Sequence, residues 1–115
     1  MVKLINPDEL KWYSPSGYND VKNKRMVGKD TGTTKMSVVL QTMAPGGVSE
    51  MHIHEDADQF HYMIKGEVTI TSPESNFVLT EGNCCWTAPG ELHGMKNESG
   101  KESFYLVLLA PNPGW

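Results

Sequence analysis

The stretch GGVSEMHIHEDADQFHYMIKG, residues 46 to 66, decides the fold of this chain. It contains three of the four histidines, and two of them, His52 and His54, are separated by a single residue. On an extended strand, residues two apart project from the same face, so both imidazoles can reach one ion. Imidazole is the commonest side-chain metal ligand. The spacing alone leaves two interpretations open, a metal-binding pair and a pair of ordinary surface or hydrogen-bonded histidines.

Turn residues divide the rest of the chain into runs of strand length. The runs are rich in β-branched and aromatic residues and predict strands at 36–43, 59–65, 67–71, 76–80, 84–88 and 103–109. Only residues 7–12 resemble a helical turn, because proline and two acids stand at their front. So many short strands in 115 residues predict one all-β domain. A barrel or jelly roll is favoured over an immunoglobulin-like sandwich, because closure removes exposed sheet edges.

Two spaced patterns resemble the two sequence motifs of the cupin superfamily. The first, residues 46–66, has the form G-x5-H-x-H-x4-Q-x6-G, and the second, residues 82–97, the form G-x5-A-x-G-x2-H-x3-N. Gln59 stands where the family usually has glutamate, and Pro89 comes one place later than the family's proline. The resemblance implies a cupin jelly-roll β-barrel, a double-stranded β-helix, over residues 1–115, with a cavity for a small molecule.

The resemblance also implies a metal site. His52, His54 and His93 correspond to the imidazole ligands of the family, and Gln59 corresponds to the fourth ligand by position. The expected cofactor is one divalent ion, manganese, iron, nickel or zinc, because imidazole and amide oxygen accept all four. A neutral amide leaves the ion more of its positive charge than a carboxylate would, which favours Lewis-acid chemistry.

Residues next to this set leave three choices open. His61 follows Gln59 by two positions, so it should face inward as well. We predict that His61 is catalytic, as a general acid or base, while a fifth-ligand role and a plain buried role stay open. In strand 36–43 either parity can face the cavity. A nearby acid is an alternative to Gln59 as the fourth ligand: Glu55, Asp56 or Asp58.

Glutamine-containing small cupins resemble lyases, ring-opening proteins that act on uronates, and polyketide cyclases. The resemblance therefore implies a metal-dependent enzyme that acts on a small oxygen-rich molecule by lyase, isomerase or cyclase chemistry. The alternatives are a metal-dependent dioxygenase and a non-catalytic barrel that binds a small ligand.

Composition excludes several partners. The formal net charge is −4, and the basic residues between 22 and 35 stand among acids and glycines. We expect a solvated loop there, and no nucleic-acid site. No apolar run is long enough to span a bilayer, and the first residues lack the apolar core of a signal peptide, so a cytoplasmic protein without membrane contact is expected. Cys84 and Cys85 are adjacent, which is poor geometry for a disulfide.

Four large aromatic residues lie outside the predicted strands: Trp12, Tyr13, Tyr18 and Trp115. A chain this small has little surface on which to cover them. Small single-barrel cupins usually pair. The resemblance therefore implies a homodimer in which the N-terminal segment packs on the partner.

Overall fold

A computed structural model describes residues 1–115, and the all-β prediction is confirmed. Two short 3₁₀ helices cover Pro7–Glu9 and Lys29–Thr31. The predicted helical turn at 7–12 is therefore shorter than expected. The eight strands are Tyr18–Val27 (β1), Ser37–His52 (β2), Asp58–Lys65 (β3), Glu67–Thr71 (β4), Asn76–Thr80 (β5), Cys84–Thr87 (β6), His93–Lys96 (β7) and Ser103–Ala110 (β8).

The strands form one sheet that curves into a nearly closed barrel. Their order is β5-β4-β7-β2-β8-β3-β6, and β1 pairs with β2 outside this path. The 16 residues of β2 are long enough to pair with β8 along the first half and with β7 along the second. This register places His52 opposite His93 on the neighbouring strand. The two cupin motifs therefore meet at one end of the barrel.

Strand alternation separates the core from the surface. On β8, the buried residues alternate with half-buried ones. On β2 the buried parity begins at Ser37 and includes Gln41, which settles the choice that the sequence left open. The apolar core consists of Val21, Met43, Met63, Val68, Ile70, Leu79, Met95, Tyr105 and Val107.

Strand β1 corrects the prediction of a solvated loop between residues 22 and 35. Lys22 and Lys24 lie on this strand, while Val21 before them and Asn23 between them are buried. The lysines misled the prediction of a loop, because a lysine on a strand can keep its ammonium group in solvent while its methylene chain lies along the sheet. Tyr18 therefore belongs to a strand after all. Strand β7 was also missed, because glycine and histidine are weak strand signals.

The N-terminal segment packs on its own barrel. The ring of Trp12 meets Phe104 edge to face at 6.5 Å, and Lys24 Nζ lies 4.8 Å from the Trp12 ring centre. Tyr13 pairs with Asn23 through backbone hydrogen bonds of 2.7 and 2.9 Å. These two aromatic residues are thus partly covered within one chain.

Gly66 illustrates why the motif glycines occur where they do. It turns the chain from β3 to β4 with φ of +84°, in the left-handed region that favours glycine. A β-carbon there would lie 3.0 Å from the carbonyl oxygen of Glu102. The expected tight turn is confirmed.

The two adjacent cysteines are not joined by a disulfide. Cys84 is exposed, Cys85 is half-buried, and both are free thiols. Neither helical segment has the length and apolar character needed to cross a membrane.

Candidate metal centre

Three histidines meet at the end of the barrel where β2 and β7 pair. His52 ends β2, His93 begins β7, and His54 follows just after β2. The ring centres of His52 and His93 are 4.5 Å apart, and those of His52 and His54 are 5.0 Å apart. One ligand atom from each ring lies within 4.8 Å of the other two. The three imidazoles are therefore close enough to form a candidate metal site.

Backbone carbonyls fix the orientation of two of these rings. Nδ1 of His52 donates to the carbonyl of Glu50 at 2.7 Å, and Nδ1 of His93 donates to the carbonyl of Glu91 at 2.9 Å. With the hydrogen on Nδ1, the lone pair lies on Nε2. A hydrogen bond of this kind usually orients a metal-binding histidine. Both rings are thus prepared to offer Nε2 as a ligand.

Four buried atoms at this site have no hydrogen-bond partner: Nε2 of His52, His54 and His93, and Oε1 of Gln59. Buried polar atoms normally have a hydrogen-bond partner, so four unpartnered atoms in one place need an explanation. All four can present lone pairs, and a cation satisfies lone pairs. Three imidazole nitrogens and one amide oxygen suit a divalent transition ion. The residues present therefore fit the expected group.

No carboxylate joins the three histidines. Asp58 is exposed, and its Oδ1 accepts a 2.8 Å hydrogen bond from Nε1 of Trp86. Glu55 and Asp56 are also exposed, and they line a surface pocket whose wall includes His54. Strand alternation turns Asp58 away from the face that carries Gln59, which favours Gln59 as the fourth ligand.

A small cavity lies beside the histidines, with a free volume of about 10 Å³. This is about the space that one water molecule needs. Its wall includes His61, which is 3% exposed and lies outside the group of three. The inward orientation predicted for His61 is confirmed. Six other lining residues were not predicted to be site residues: Tyr18, Gln41, Ser49, Met95, Val107 and Trp115.

A hydrogen-bonded chain of side chains forms one wall of the cavity. The hydroxyl of Tyr105 donates to Oε1 of Gln41, and Nε2 of Gln41 donates to Oδ1 of Asn23 at 2.7 Å. Burial raises the pKa of Tyr105 well above its usual value, so its hydroxyl keeps the hydrogen that it donates. This chain links β8, β2 and β1 and holds Gln41 at the cavity. Strand parity alone would have identified Gln41 once the buried face of β2 was known.

Burial favours the neutral form of His54, His61 and His93. It lowers the pKa of His61 to about 3 and that of His54 to about 4, and charge repulsion among the imidazoles acts in the same direction. The pKa of His93 is also lowered, mainly by burial, although the hydrogen bond to Glu91 opposes the change. Neutral imidazole is the form that binds metals. The site is thus ready for a cation at neutral pH.

His61 has a thiol as its neighbour. Sγ of Cys85 lies 4.0 Å from Nδ1 of His61. Burial raises the pKa of the Cys85 thiol to about 11, so the thiol keeps its hydrogen and can donate it to Nδ1. In that arrangement the ring hydrogen of His61 lies on Nε2.

Metal-free protein is expected to lose stability as the pH falls from 7 to 5. The pKa of His61 is about 3 in the folded chain and 6.5 as an ordinary value, so the unfolded chain takes up a proton that the folded chain does not. The free energy of unfolding should fall below pH 6.5, by about 2 kcal/mol at pH 5 from His61 alone.

Urea unfolding in the presence of a chelator measures this loss at both pH values. The matched variant His61→Gln has no titrating ring at this position. Its loss between pH 7 and pH 5 should be smaller by about 2 kcal/mol. An equal loss of unfolding free energy in both proteins would mean that the pKa of His61 is not lowered in the folded protein.

Comparisons with known proteins agree with this fold and site. The family model described as a cupin domain matches residues 39–109. The β-D-galactosidase Rv1717 of Mycobacterium tuberculosis is 24% identical over 110 residues, which are 95% of this chain and 94% of that protein. A predicted oxalate decarboxylase from Thermotoga maritima superimposes with a TM-score of 0.85 at 19% identity, over 95% of this chain and 99% of the other.

A third comparison is the polyketide cyclase RemF from Streptomyces resistomycificus. It has a TM-score of 0.85 at 18% identity, over 97% of this chain and 81% of the other. At such identities the two structures are evidence for the fold alone. The family model covers well over half of the chain and includes all four proposed ligands. The chain therefore belongs to the cupin family.

Proposed function

We propose that this chain is a metal-dependent enzyme that acts on a small oxygen-rich molecule by non-redox chemistry of the lyase, isomerase or cyclase type. The observation that carries the proposal is the donor set of the candidate centre. It offers three imidazole nitrogens and one amide oxygen, all without partners, and no carboxylate. The relative from Mycobacterium tuberculosis supports the substrate class, because the galactoside on which a β-D-galactosidase acts is rich in oxygen.

The side chains have separate roles in this proposal. His52, His54, His93 and Gln59 would hold one divalent ion. When bound, such an ion supplies positive charge beside the oxygen atoms of a substrate, and a neutral ligand set leaves most of that charge available. The hydrogen bonds from His52 and His93 to backbone carbonyls keep the ligand nitrogens in place.

His61 is the proposed catalytic residue. It lines the cavity, and the thiol of Cys85 at Nδ1 leaves Nε2 as the atom that carries the hydrogen. From that position neutral His61 would donate a hydrogen bond from Nε2 to a substrate oxygen and stabilise negative charge that develops there. Tyr18 and Trp115 line the same cavity and would exclude water from it.

The test of the proposed function is turnover without oxygen. Protein loaded with zinc, manganese, ferrous iron or nickel is incubated under argon with sugar acids, hydroxy acids, keto acids and phenolic polyketides. We expect a product that is lost on chelation and returns with the ion. Turnover that requires oxygen would instead identify a dioxygenase. No product, together with a lower melting temperature on chelation, would favour a ligand-binding barrel.

We also propose that the protein is a homodimer, as the family resemblance implies. The outer face of β3 and β6 leaves Tyr62, Ile64 and Trp86 exposed, with Trp86 at 68%. An exposed apolar face of this kind is typical of an interaction surface. A second copy of the chain would cover it.

A further inference from the structure

A second pocket lies beside the candidate metal centre. It has a volume of about 250 Å³, and its wall includes Tyr13, Asn23 and Arg25. Two residues, Tyr18 and Trp115, line both this pocket and the small cavity at the histidines. The two spaces are therefore neighbours on either side of these aromatic rings.

The wall of this second pocket contains two buried donors without partners. Asn23 is 1% exposed, and its Oδ1 accepts from Gln41, but its Nδ2 has no partner. Arg25 binds Asp30 through Nη1 at 3.1 Å, while its Nε has no partner. Unlike the four unpartnered atoms at the histidines, these two atoms can only donate hydrogen bonds. The group that would satisfy them is an acceptor.

The chemistry of the pair favours one kind of acceptor. Guanidinium is always charged and matches a carboxylate in shape and charge. The Arg25 guanidinium carbon lies 5.0 Å from the ring centre of Tyr13, a contact that restricts its orientation. Asn23 is fixed in turn by its bond to Gln41, which lines the metal cavity. Gln41 thus connects this pocket to the metal cavity.

We propose that Asn23 and Arg25 bind the carboxylate of the substrate, and that Trp115 covers this subsite and the metal cavity in the closed form of the protein. The inference rests on the proposed function, which places the reacting end of the substrate at the metal ion. It narrows the proposed substrates from small oxygen-rich molecules to small organic acids. The carboxylate binds at Asn23 and Arg25, and the reacting oxygen atoms lie at the histidines.

The cover is assigned to Trp115 from its position. Neither nitrogen is exposed, and Trp115 lines both the pocket beside them and the metal cavity. The main chain of Trp115 is held by Lys29, whose amide donates to its carbonyl at 2.7 Å, and by Asn112. The variant Trp115→Ala removes the indole and so tests the cover.

The experiment measures binding of glycolate to metal-free protein, with the neutral analogue glycolamide as the matched probe. The nitrogen-15 NMR signal of Arg25 Nε reports contact with the carboxylate. We expect glycolate, but not glycolamide, to shift this signal. Arg25→Gln should weaken glycolate binding about 10-fold or more, because it removes a charge-assisted hydrogen bond. Trp115→Ala should strengthen it, because it removes the cover.

The control variant lies outside both pockets. Asp58→Asn changes an exposed residue that is bonded to Trp86, and it should bind glycolate as the unchanged protein does. Equal binding of glycolate and glycolamide, or full binding by Arg25→Gln, would overturn the proposal. If glycolate produces no shift at Arg25 Nε and its binding is lost in the double variant His52→Ala with His93→Ala, the acid binds at the histidines, so the subsite is wrong while the proposed function stands. If glycolate shifts the Arg25 Nε signal but the protein takes up no divalent ion when one is supplied, only the proposed function is contradicted.

Discussion

Protein in which His52 and His93 are both replaced by alanine is expected to bind a divalent ion more than about 100-fold more weakly than the unchanged protein. Loss of one hydrogen-bond partner of a metal ligand already lowers metal affinity by about 10–100-fold, and here two ligands themselves are removed. Turnover should disappear with the ion. Competition against a fluorescent chelator measures the affinity, and elemental analysis measures the stoichiometry.

The matched control for this variant is Asp58→Asn. Asp58 is close in sequence but exposed and bonded to Trp86, so its replacement should leave metal affinity within about 2-fold. Thermal unfolding gives a second reading. Metal at 100 times its dissociation constant should stabilise the unchanged protein by about 2.7 kcal/mol and leave the histidine variant unaffected. If the histidine variant binds one ion with unchanged affinity, His52 and His93 are not metal ligands.

Gln59→Glu is expected to bind the ion about 10-fold more tightly and to turn over about 10-fold more slowly. The variant places a negative charge at a buried position where Oε1 of Gln59 has no partner. A carboxylate there attracts the ion and neutralises part of its charge, which lowers its power to stabilise negative charge on a substrate. Metal affinity and the rate under argon are measured side by side.

The comparison variant at this position is Gln59→Leu. It removes the amide oxygen without adding charge, so metal affinity should fall. Affinities that are the same in the glutamine, glutamate and leucine proteins would mean that the side chain at position 59 does not contact the ion. The proposed Lewis-acid function would then lose its main support.

Much of the fold and of the candidate site could be predicted because the deciding features are local. Strand alternation alone directs His52 and His54 to one face and places Gln59 and His61 together on another strand. The spacing of histidines and glycines then identifies the family, which brings in His93 from a distant strand. The matching family model confirms the family, and the structure confirms the inward orientation of His61. The ligand set itself stays a proposal.

The features that could not be predicted depend on contacts between distant residues. Trp115 lies 61 positions after His54 (115 − 54), yet the two rings are 5.9 Å apart. Nothing in the local pattern around Trp115 indicates this contact. Strand β1 was missed for a different reason. Its lysines suggest a solvated loop, whereas the alternating burial of Val21 and Asn23 shows a strand.

The most direct test of the central claim is a crystal structure of the protein loaded with zinc or manganese, with the ion located by its anomalous scattering. We predict one ion bound to Nε2 of His52, His54 and His93 and to Oε1 of Gln59, at distances of about 2.0–2.2 Å. A protein that crystallises with no ion at this site, or with its ion on other residues, would contradict the account.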